Sequence, residues 1–271
     1  CHIADKGNTI VIINQQEYIT KTQNFFDNNN ILKLNKDPTI KYTKEINKAI
    51  TNSKQLFPNL NTNIFKQPNA MAPQFTGLPK IHKQGTPIRP LINYTTAPGY
   101  KIAKTLQKII KNNIKIINNH SIQNNKDLIE KLQNLNISPN YKLISLDVTN
   151  MYTNIPIDET IQILKENLTN TATINTQQIN ELINLIKTIL KQNYFTFNDE
   201  YYTQTEGLAM GSPLSGLLAD IYLNHYENKY ILSTLNPQKQ KIITYSRYVD
   251  DTFVIFDGTN RQIDILTKYI N

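Results

Sequence analysis

Residues 243–258 read ITYSRYVDDTFVIFDG, and the interpretation of the whole sequence starts from this stretch. Two β-rich runs meet at a polar tip, Asp250-Asp251, which predicts a hairpin. Adjacent acids are unusual in a tight turn, because like charges repel and pairs such as Asn-Gly are commoner there. A divalent cation removes this objection, since Mg²⁺ binds a few carboxylates together with substrate phosphate oxygens. The alternative interpretation is a solvated acidic turn.

A second acidic position lies upstream, at the end of an apolar strand. Residues 141–148 read YKLISLDV and alternate like a strand, with Asp147 on the same face as Leu143 and Ser145. The strand, helix and hairpin that follow match one half of a split βαβ, ferredoxin-like sheet. This topology would bring Asp147 beside the acidic turn, where two metal ions could serve an in-line phosphoryl displacement. Alternatively, Asp147 only caps the turn that follows it.

The first hundred residues are less regular. Residues 1–71 contain one strand-like run, GNTIVII, and a helical pattern around residues 42–56. Residues 72–100 are rich in Pro and Gly, which predicts short extended segments joined by turns. Residues 100–118 carry apolar positions at helical spacing.

The second half shows clearer signals for individual elements. A helix is expected to start at Pro156 with Asp158 as its N-cap, and another should follow Asn175. Residues 194–204 predict a hairpin that turns at Asn198-Asp199. An apolar stripe over residues 212–231 predicts a further helix.

Composition narrows the class of protein. The hydrophobic fraction is 39% and apolar residues recur throughout, so disorder is not expected. No run of eighteen apolar residues occurs, which indicates a protein that does not cross a membrane. The net charge of +8 favours polyanionic partners, although nucleotide bias also explains the abundant Lys, Asn and Ile. A single Cys and four widely spaced His residues give no disulfide framework and no zinc motif, and indicate an intracellular protein.

Four motifs in fixed order resemble those of reverse transcriptases. They are LPKIHKQGTPIRPLI at 78–92, SLDVTNMYTNIP at 145–156, EGLAMGSPLSGLLADIYL at 206–223 and YSRYVDDTFVIF at 245–256. The wording is most similar to Penelope-like retroelement enzymes, which are related to telomerase reverse transcriptase. The resemblance implies an α+β fold with right-hand polymerase architecture, in which fingers precede a palm built on a ferredoxin-like antiparallel sheet. Residues 1–71 would form an N-terminal extension or the start of the fingers, and residues 72–271 the fingers and palm.

The resemblance also implies a role for individual residues. Asp147, Asp250 and Asp251 would be the catalytic, metal-binding acids, with the carbonyl of Val148 as a further metal ligand. Two Mg²⁺ ions are implied, with Mn²⁺ as a substitute. The implied nucleotide-binding residues are Lys80 and Arg89 for the triphosphate, Tyr152 as a gate against the 2′-hydroxyl, and Gly211 with Ser212 in the turn that contacts template and nucleotide.

Some features depart from the family pattern. Met210 stands where many reverse transcriptases have Gln, and Gly216 where many have Pro. The sequence ends soon after the YVDD motif, so we expect a fragment without the thumb, and no GIY-YIG endonuclease motif is present.

Three functions remain open from the sequence. The first is RNA-directed DNA polymerisation on an RNA or DNA primer–template with dNTP, in an intracellular, nuclear protein. The second is a truncated or decayed polymerase that only binds nucleic acid. The third is a basic structural protein with incidental acids. The oligomeric state is not indicated.

Overall fold

The computed structural model describes residues 1–7, 9–114, 120–171 and 173–270. The chain divides into two compact units. Unit 1 comprises Cys1–Lys115 and Tyr152–Ala219, and unit 2 comprises Ile116–Met151 and Asp220–Asn271. Residues on both sides of position 71 belong to unit 1, and the domain boundary expected there stays a prediction.

The regular elements are numbered along the chain. The strands are β1 (His2–Ile3), β2 (Ile10–Val11), β3 (Ile31–Leu34), β4 (Gln74–Pro79), β5 (Ile88–Asn93), β6 (Lys142–Asp147), β7 (Tyr194–Phe197), β8 (Glu200–Gln204), β9 (Ile242–Tyr248) and β10 (Asp251–Phe256). The α-helices are α1 (Gln15–Asp27), α2 (Thr39–Asn52), α3 (Tyr100–Asn113), α4 (Asn125–Gln133), α5 (Met151–Asn154), α6 (Ile157–Thr171), α7 (Thr176–Leu190), α8 (Ser215–Tyr226) and α9 (Asn260–Ile270). A π-helical turn, Glu227–Ile231, continues directly from α8.

Unit 1 is built on a five-stranded sheet in the order β3-β8-β7-β4-β5. Strands β4 and β5 confirm the extended segments predicted for the Pro-rich region. The hairpin of β7 and β8 turns where expected, and the positive φ values of Asn198 (51°) and Asp199 (60°) identify a type I′ turn. An aromatic cluster packs beneath the sheet, and its centre is Phe26, whose ring lies 4.7 Å from that of Tyr202 and 5.0 Å from that of Phe75.

Helix α1 lies in a polar, Asn-rich stretch in which the sequence patterns identified no helix. Three of its residues, Tyr18, Thr22 and Phe26, recur every fourth position and are buried on one face. The side chain of Asn14 accepts a hydrogen bond from the Gln16 amide and caps the first turn. A narrow buried stripe therefore suffices for this helix, although its average composition is polar.

Two predicted helices of unit 1 need correction at their ends. Helix α6 begins at Ile157, so Asp158 lies inside the first turn and is not the N-cap. Pro156 precedes the helix, and its carbonyl accepts a hydrogen bond from the Thr160 amide. The carboxylate of Asp158 lies in the first turn, where it interacts favourably with the positive end of the helix dipole. Helix α3 ends at Asn113, and its expected continuation over 115–118 lies outside the described residues.

Unit 2 contains a three-stranded antiparallel sheet in the order β6-β10-β9. Along β6 the side chains alternate between half-buried and exposed, as the sequence predicted. The opposite face of the sheet carries Tyr245, Val254 and Phe256, which pack in a buried cluster with Ile231 and with Leu266 of α9. Apolar residues therefore fix one face of this sheet towards a core, while Asp147 and Asp251 on the other face are exposed at the end of the sheet.

Two strand predictions differ in detail from the structure. The tip of the hairpin comprises Val249 and Asp250 instead of Asp250 and Asp251, because Asp251 already pairs with Tyr248 as the first residue of β10. The run GNTIVII forms strand only at Ile10–Val11, paired with His2–Ile3, and its Asn8 lies outside the described residues. Among the residues described, no helix combines the length and the apolarity needed to cross a membrane.

The start of α7 gives a test of local stability. Asn175 and Gln178 form a capping box, in which each side chain accepts from the other's backbone amide at 2.9 Å. We expect Asn175→Ala to lower the free energy of unfolding by about 1 kcal/mol, measured by urea denaturation. Asn184→Ala, at an exposed position inside the same helix, should be neutral or slightly stabilising because Ala has the higher helix propensity. Equal losses for both variants would contradict the capping role.

Candidate functional site

The pairing of β6 with β10 brings the acidic residues of unit 2 together. Asp147 lies directly opposite Asp251 in the strand register. The next residue, Val148, donates its amide to the carbonyl of Asp250 at 3.0 Å. This bond makes Asp147 and Asp251 a non-hydrogen-bonded pair, in which facing side chains approach most closely, with Cβ atoms roughly 4.5–5.5 Å apart. The backbone therefore places three acids at one end of the sheet.

The facing acids lie on the outward side of the sheet. Asp147 and Asp251 are both exposed, and Tyr248, which pairs with Asp251 from β9, is 49% exposed. Like charges opposite each other in a sheet are destabilising. Apolar or opposite-charge pairs are the stabilising choice at such positions, so this pair indicates a functional constraint.

The donor set fits a magnesium ion that also binds substrate. In the described part of the chain, no three His, Cys, Asp or Glu side chains converge as one ligand group. Mg²⁺ is usually bound by one or two carboxylates plus substrate phosphates, so the facing pair Asp147 and Asp251, with Asp250 beside them, matches its chemistry. The carbonyl of Val148 is a further oxygen donor at the same strand end.

The turn that carries Asp250 has a strained backbone. Val249 has a φ of 56°, in the left-handed region that β-branched residues strongly avoid. Such a conformation costs about 1–3 kcal/mol and persists only where surrounding contacts hold it. Strain of this kind concentrates at functional sites, which supports the assignment of this turn as one.

A buried charged network lies directly beneath the turn, and the sequence analysis missed it. Arg247 is 1% exposed and its Nε donates to Oε1 of Glu227 at 2.6 Å. Its Nη1 donates to Oδ1 of Asp220 at 3.1 Å and to the carbonyl of Val249 at 2.9 Å. The hydroxyl of Tyr245 also donates to Oε1 of Glu227, at 3.0 Å. Burial raises the pKa of the Glu227 carboxyl, and the guanidinium of Arg247 opposes that rise.

The sequence did contain a signal for this network. The alternation of β9 places Arg247 on the same face as Tyr245, which is the face that packs in the core. A charged side chain at a core-facing position requires a buried partner. The partner, Glu227, could not be identified because it follows α8 in a π-helical turn, whose register a helical pattern does not predict.

The nucleotide-binding residues implied by the resemblance lie in unit 1. The carbonyl of Tyr152 accepts from the Leu208 amide at 2.7 Å, at the start of the segment that contains Gly211 and Ser212. Gly211 has a φ of 84°, and a Cβ there would collide with the carbonyl oxygen of Ile92 in β5. Ser212 is buried. The structure thus brings Tyr152 and the Gly211–Ser212 turn into one packed region with β5.

The two basic residues of that set lie on the hairpin of β4 and β5. Arg89 donates from Nη1 to Oδ1 of Asp5 at 2.8 Å, and its side chain is half-exposed while that of Asp5 is buried. The amide of Lys80 donates to the carbonyl of Pro87 at 2.8 Å and closes the loop between the strands. A buried acid therefore holds one edge of the Arg89 guanidinium in place. Triphosphate binding by these residues stays a prediction.

Comparisons with known proteins agree with the motifs. Residues 81–271 match the family described as reverse transcriptase (RNA-dependent DNA polymerase). Telomerase reverse transcriptase of Euplotes aediculatus is 27% identical over 94 residues, which is 33% of this chain and 9% of that protein. The chain therefore spans a small part of this curated relative.

Solved structures show the same fold at low sequence identity. Apo telomerase from Candida tropicalis, truncated from its C-terminal domain, superimposes with a TM-score of 0.62 at 10% identity, over 99% of this chain and 54% of that one. Telomerase from Candida albicans, in complex with a fragment of telomeric RNA, gives a TM-score of 0.58 at 12% identity, over 93% of this chain and 44% of that one. The mixed helix-and-sheet fold thus resembles the polymerase fold of telomerase.

The close approach of Gly211 to the carbonyl of Ile92 gives a second test of stability. Gly211→Ala would place a methyl group against the Ile92 carbonyl in a backbone conformation that already disfavours it. We expect a loss of more than about 3 kcal/mol in the free energy of unfolding. Gly85→Ala is the matched control, because Gly85 has a φ of 75° but open space around it, and should cost only about 1–2 kcal/mol. If both variants lose the same stability, the contact with Ile92 has no energetic importance.

Proposed function

The chain belongs to the reverse transcriptase (RNA-dependent DNA polymerase) family, and from this we propose that its protein transfers nucleotidyl groups from dNTP to a primer 3′-hydroxyl on an RNA template. The observation that carries the proposal is the register that sets Asp147 opposite Asp251, with Asp250 bonded beside them through Val148. A nucleic-acid-binding domain needs basic residues but has no use for three acids at one strand end.

Asp147, Asp250 and Asp251, with the carbonyl of Val148, would hold two Mg²⁺ ions, for which Mn²⁺ could substitute. Bound metal would neutralise charge on the phosphoryl oxygens and lower the pKa of the primer hydroxyl. Asp147 and Asp251 would orient the phosphoryl oxygens through the metal ions. The paired strands β6 and β10 fix the backbone of both acids, so that only their side-chain torsions remain free. Asp147 and Asp251 are both exposed at the strand ends, which leaves room there for the substrate phosphates.

Residues of unit 1 would select and hold the nucleotide. Arg89 offers the free edge of a planar guanidinium to phosphate, and Lys80 offers a compact positive charge. The ring of Tyr152 would occupy the space that a 2′-hydroxyl needs. The turn at Gly211 and Ser212 would contact template and nucleotide through its backbone, which Gly211 allows to run close to β5.

The positive charge supports a primer–template as the partner. A net charge of +8 favours binding to phosphate backbones through release of counterions.

The sequences of the four motifs support a Penelope-like retroelement as the source of the protein, and with it a nuclear location. Both of these assignments follow from the resemblance of the motifs.

Asp250→Asn tests whether the acids perform chemistry or only shape the turn. In the full-length protein, we expect this change to abolish Mg²⁺-dependent single-nucleotide extension, because it keeps the shape of the side chain and removes its charge. Primer–template affinity should stay within about threefold, since binding depends mainly on phosphate contacts by Lys and Arg. Asp264→Asn, at an exposed position on α9, is the control and should extend like the wild type.

Two outcomes would count against the proposal. If the wild-type protein shows steep salt-dependent binding but no extension on any template, the protein is a nucleic-acid-binding domain. If Asp250→Asn extends as well as the wild type, the acids are not the active site.

Tyr152 gives a separate test of sugar selection. We expect Tyr152→Ala to increase ribonucleotide incorporation relative to deoxyribonucleotide incorporation by roughly tenfold or more, because the ring no longer blocks the 2′-hydroxyl. Tyr152→Phe keeps the ring and should keep the discrimination. The measurement is the ratio of kcat/KM for the two nucleotides. Unchanged discrimination in Tyr152→Ala would show that another residue is the gate.

A further inference from the structure

We propose that Arg247 is a positioning residue, which holds the Val249-Asp250 turn in its strained conformation and is itself held by Glu227. This inference rests on the proposed polymerase function, since it assigns a role to side chains that do not contact the substrate. It concerns unit 2 alone.

The contacts of one guanidinium connect the turn to the helical segment below the sheet. Nε of Arg247 donates to Glu227 at 2.6 Å, and Nη1 donates both to Asp220 at 3.1 Å and to the carbonyl of Val249 at 2.9 Å. Because the guanidinium is planar and rigid, Asp220 on α8 and Glu227 in the π-helical turn that follows it determine where Nη1 lies. The position of the Val249 carbonyl follows from that of Nη1.

That carbonyl is well placed to control Asp250. The Val249 carbonyl and the Asp250 amide belong to one planar peptide unit. A hydrogen bond that fixes the direction of this carbonyl therefore also fixes the orientation of the peptide plane to which the Cα of Asp250 is attached. The same hydrogen bond compensates for the unfavourable φ of 56° at Val249, which would otherwise favour relaxation of the turn.

The backbone of Arg247 is also fixed. Its amide donates to the carbonyl of His120, and its carbonyl accepts from the Ile122 amide, both at 2.9 Å. The residue is thus bonded on its outer strand edge and through its side chain at the same time. A flexible or solvent-exposed cation could not transmit a defined position to the turn in this way.

The variants separate positioning from folding. Arg247→Met alone leaves Glu227 as a buried, uncompensated acid and is expected to destabilise the protein strongly. The double variant Arg247→Met with Glu227→Gln removes both charges, keeps similar volume, and leaves Tyr245 an acceptor. Replacement of a whole buried ion pair is often neutral for stability, so we expect the double variant to fold.

The control removes a neighbouring contact of the same network. Tyr245→Phe deletes the hydrogen bond to Glu227 but leaves every contact of Arg247 in place. It should behave like the wild type in all activity measurements. Arg247→Lys provides a second test, because it keeps a buried charge for Glu227 but lacks the fork that also reaches the Val249 carbonyl.

Two measurements on the full-length protein test the proposal. In single-nucleotide extension, we expect the double variant to lose about 100-fold in kcat, the scale of a misplacement of about 1 Å, with primer–template Kd within about threefold. In hydrogen–deuterium exchange, amides at positions 249–252 should exchange faster, while the rest of β9 and β10 stays protected. A purely structural role would instead raise exchange across the whole sheet, or leave kcat unchanged.

The outcomes distinguish this inference from the proposed function. A folded double variant with wild-type kcat and wild-type exchange at 249–252 overturns the inference and leaves the polymerase assignment intact. Wild-type protein without extension overturns the polymerase assignment, and with it the role claimed for Arg247, whatever the exchange shows. If the double variant does not fold, Arg247→Lys decides by the same two measurements.

Discussion

The antiparallel register between β6 and β10 is the constraint on which the rest of the site depends. It is set by the apolar face of the sheet, where Val254 and Phe256 of β10 join a buried cluster and Ile144 of β6 packs against it. Because side chains alternate with a period of two, a slip of one residue would turn Asp147 towards the core. The burial of hydrocarbon side chains on one face thus fixes the positions of carboxylates on the other.

Stability and function conflict at the end of this sheet. Facing acids and a Val in the left-handed region both cost free energy, and a hairpin forms more easily with Gly or Asn at the position of positive φ. The sheet tolerates them because the core on the opposite face is apolar and because Arg247 bonds the turn from below. That support also has a cost, since a buried ion pair must be desolvated. The concentration of three unfavourable features in one turn is more easily explained by chemistry than by folding.

Part of this arrangement could be predicted from the sequence. The alternation of YKLISLDV and the two β-rich runs around YVDD predicted the strands, because an alternating pattern of apolar and polar residues indicates which face of a strand is buried. The turn was misplaced by one residue, since the sequence does not show that Asp251 pairs with Tyr248. Helix α1 was missed because tertiary burial of three residues outweighed a polar composition. Arg247 was missed because its partners, Glu227 and Asp220, are distant in sequence and become neighbours only through packing.

The division of the chain into units explains why the motifs were more informative than composition. SLDVTNMYTNIP has Asp147 in unit 2 and Tyr152 in unit 1, and EGLAMGSPLSGLLADIYL has Gly211 in unit 1 and Asp220 in unit 2. Each of these two motifs therefore carries residues of both units within one short segment. The spacing of the residues inside such a motif is fixed by the covalent chain, so the motif can be recognised without information on the surrounding sequence. A boundary such as the one expected at residue 71 would leave only a change in composition, and the abundance of Asn, Ile and Lys throughout this chain makes such a change hard to detect.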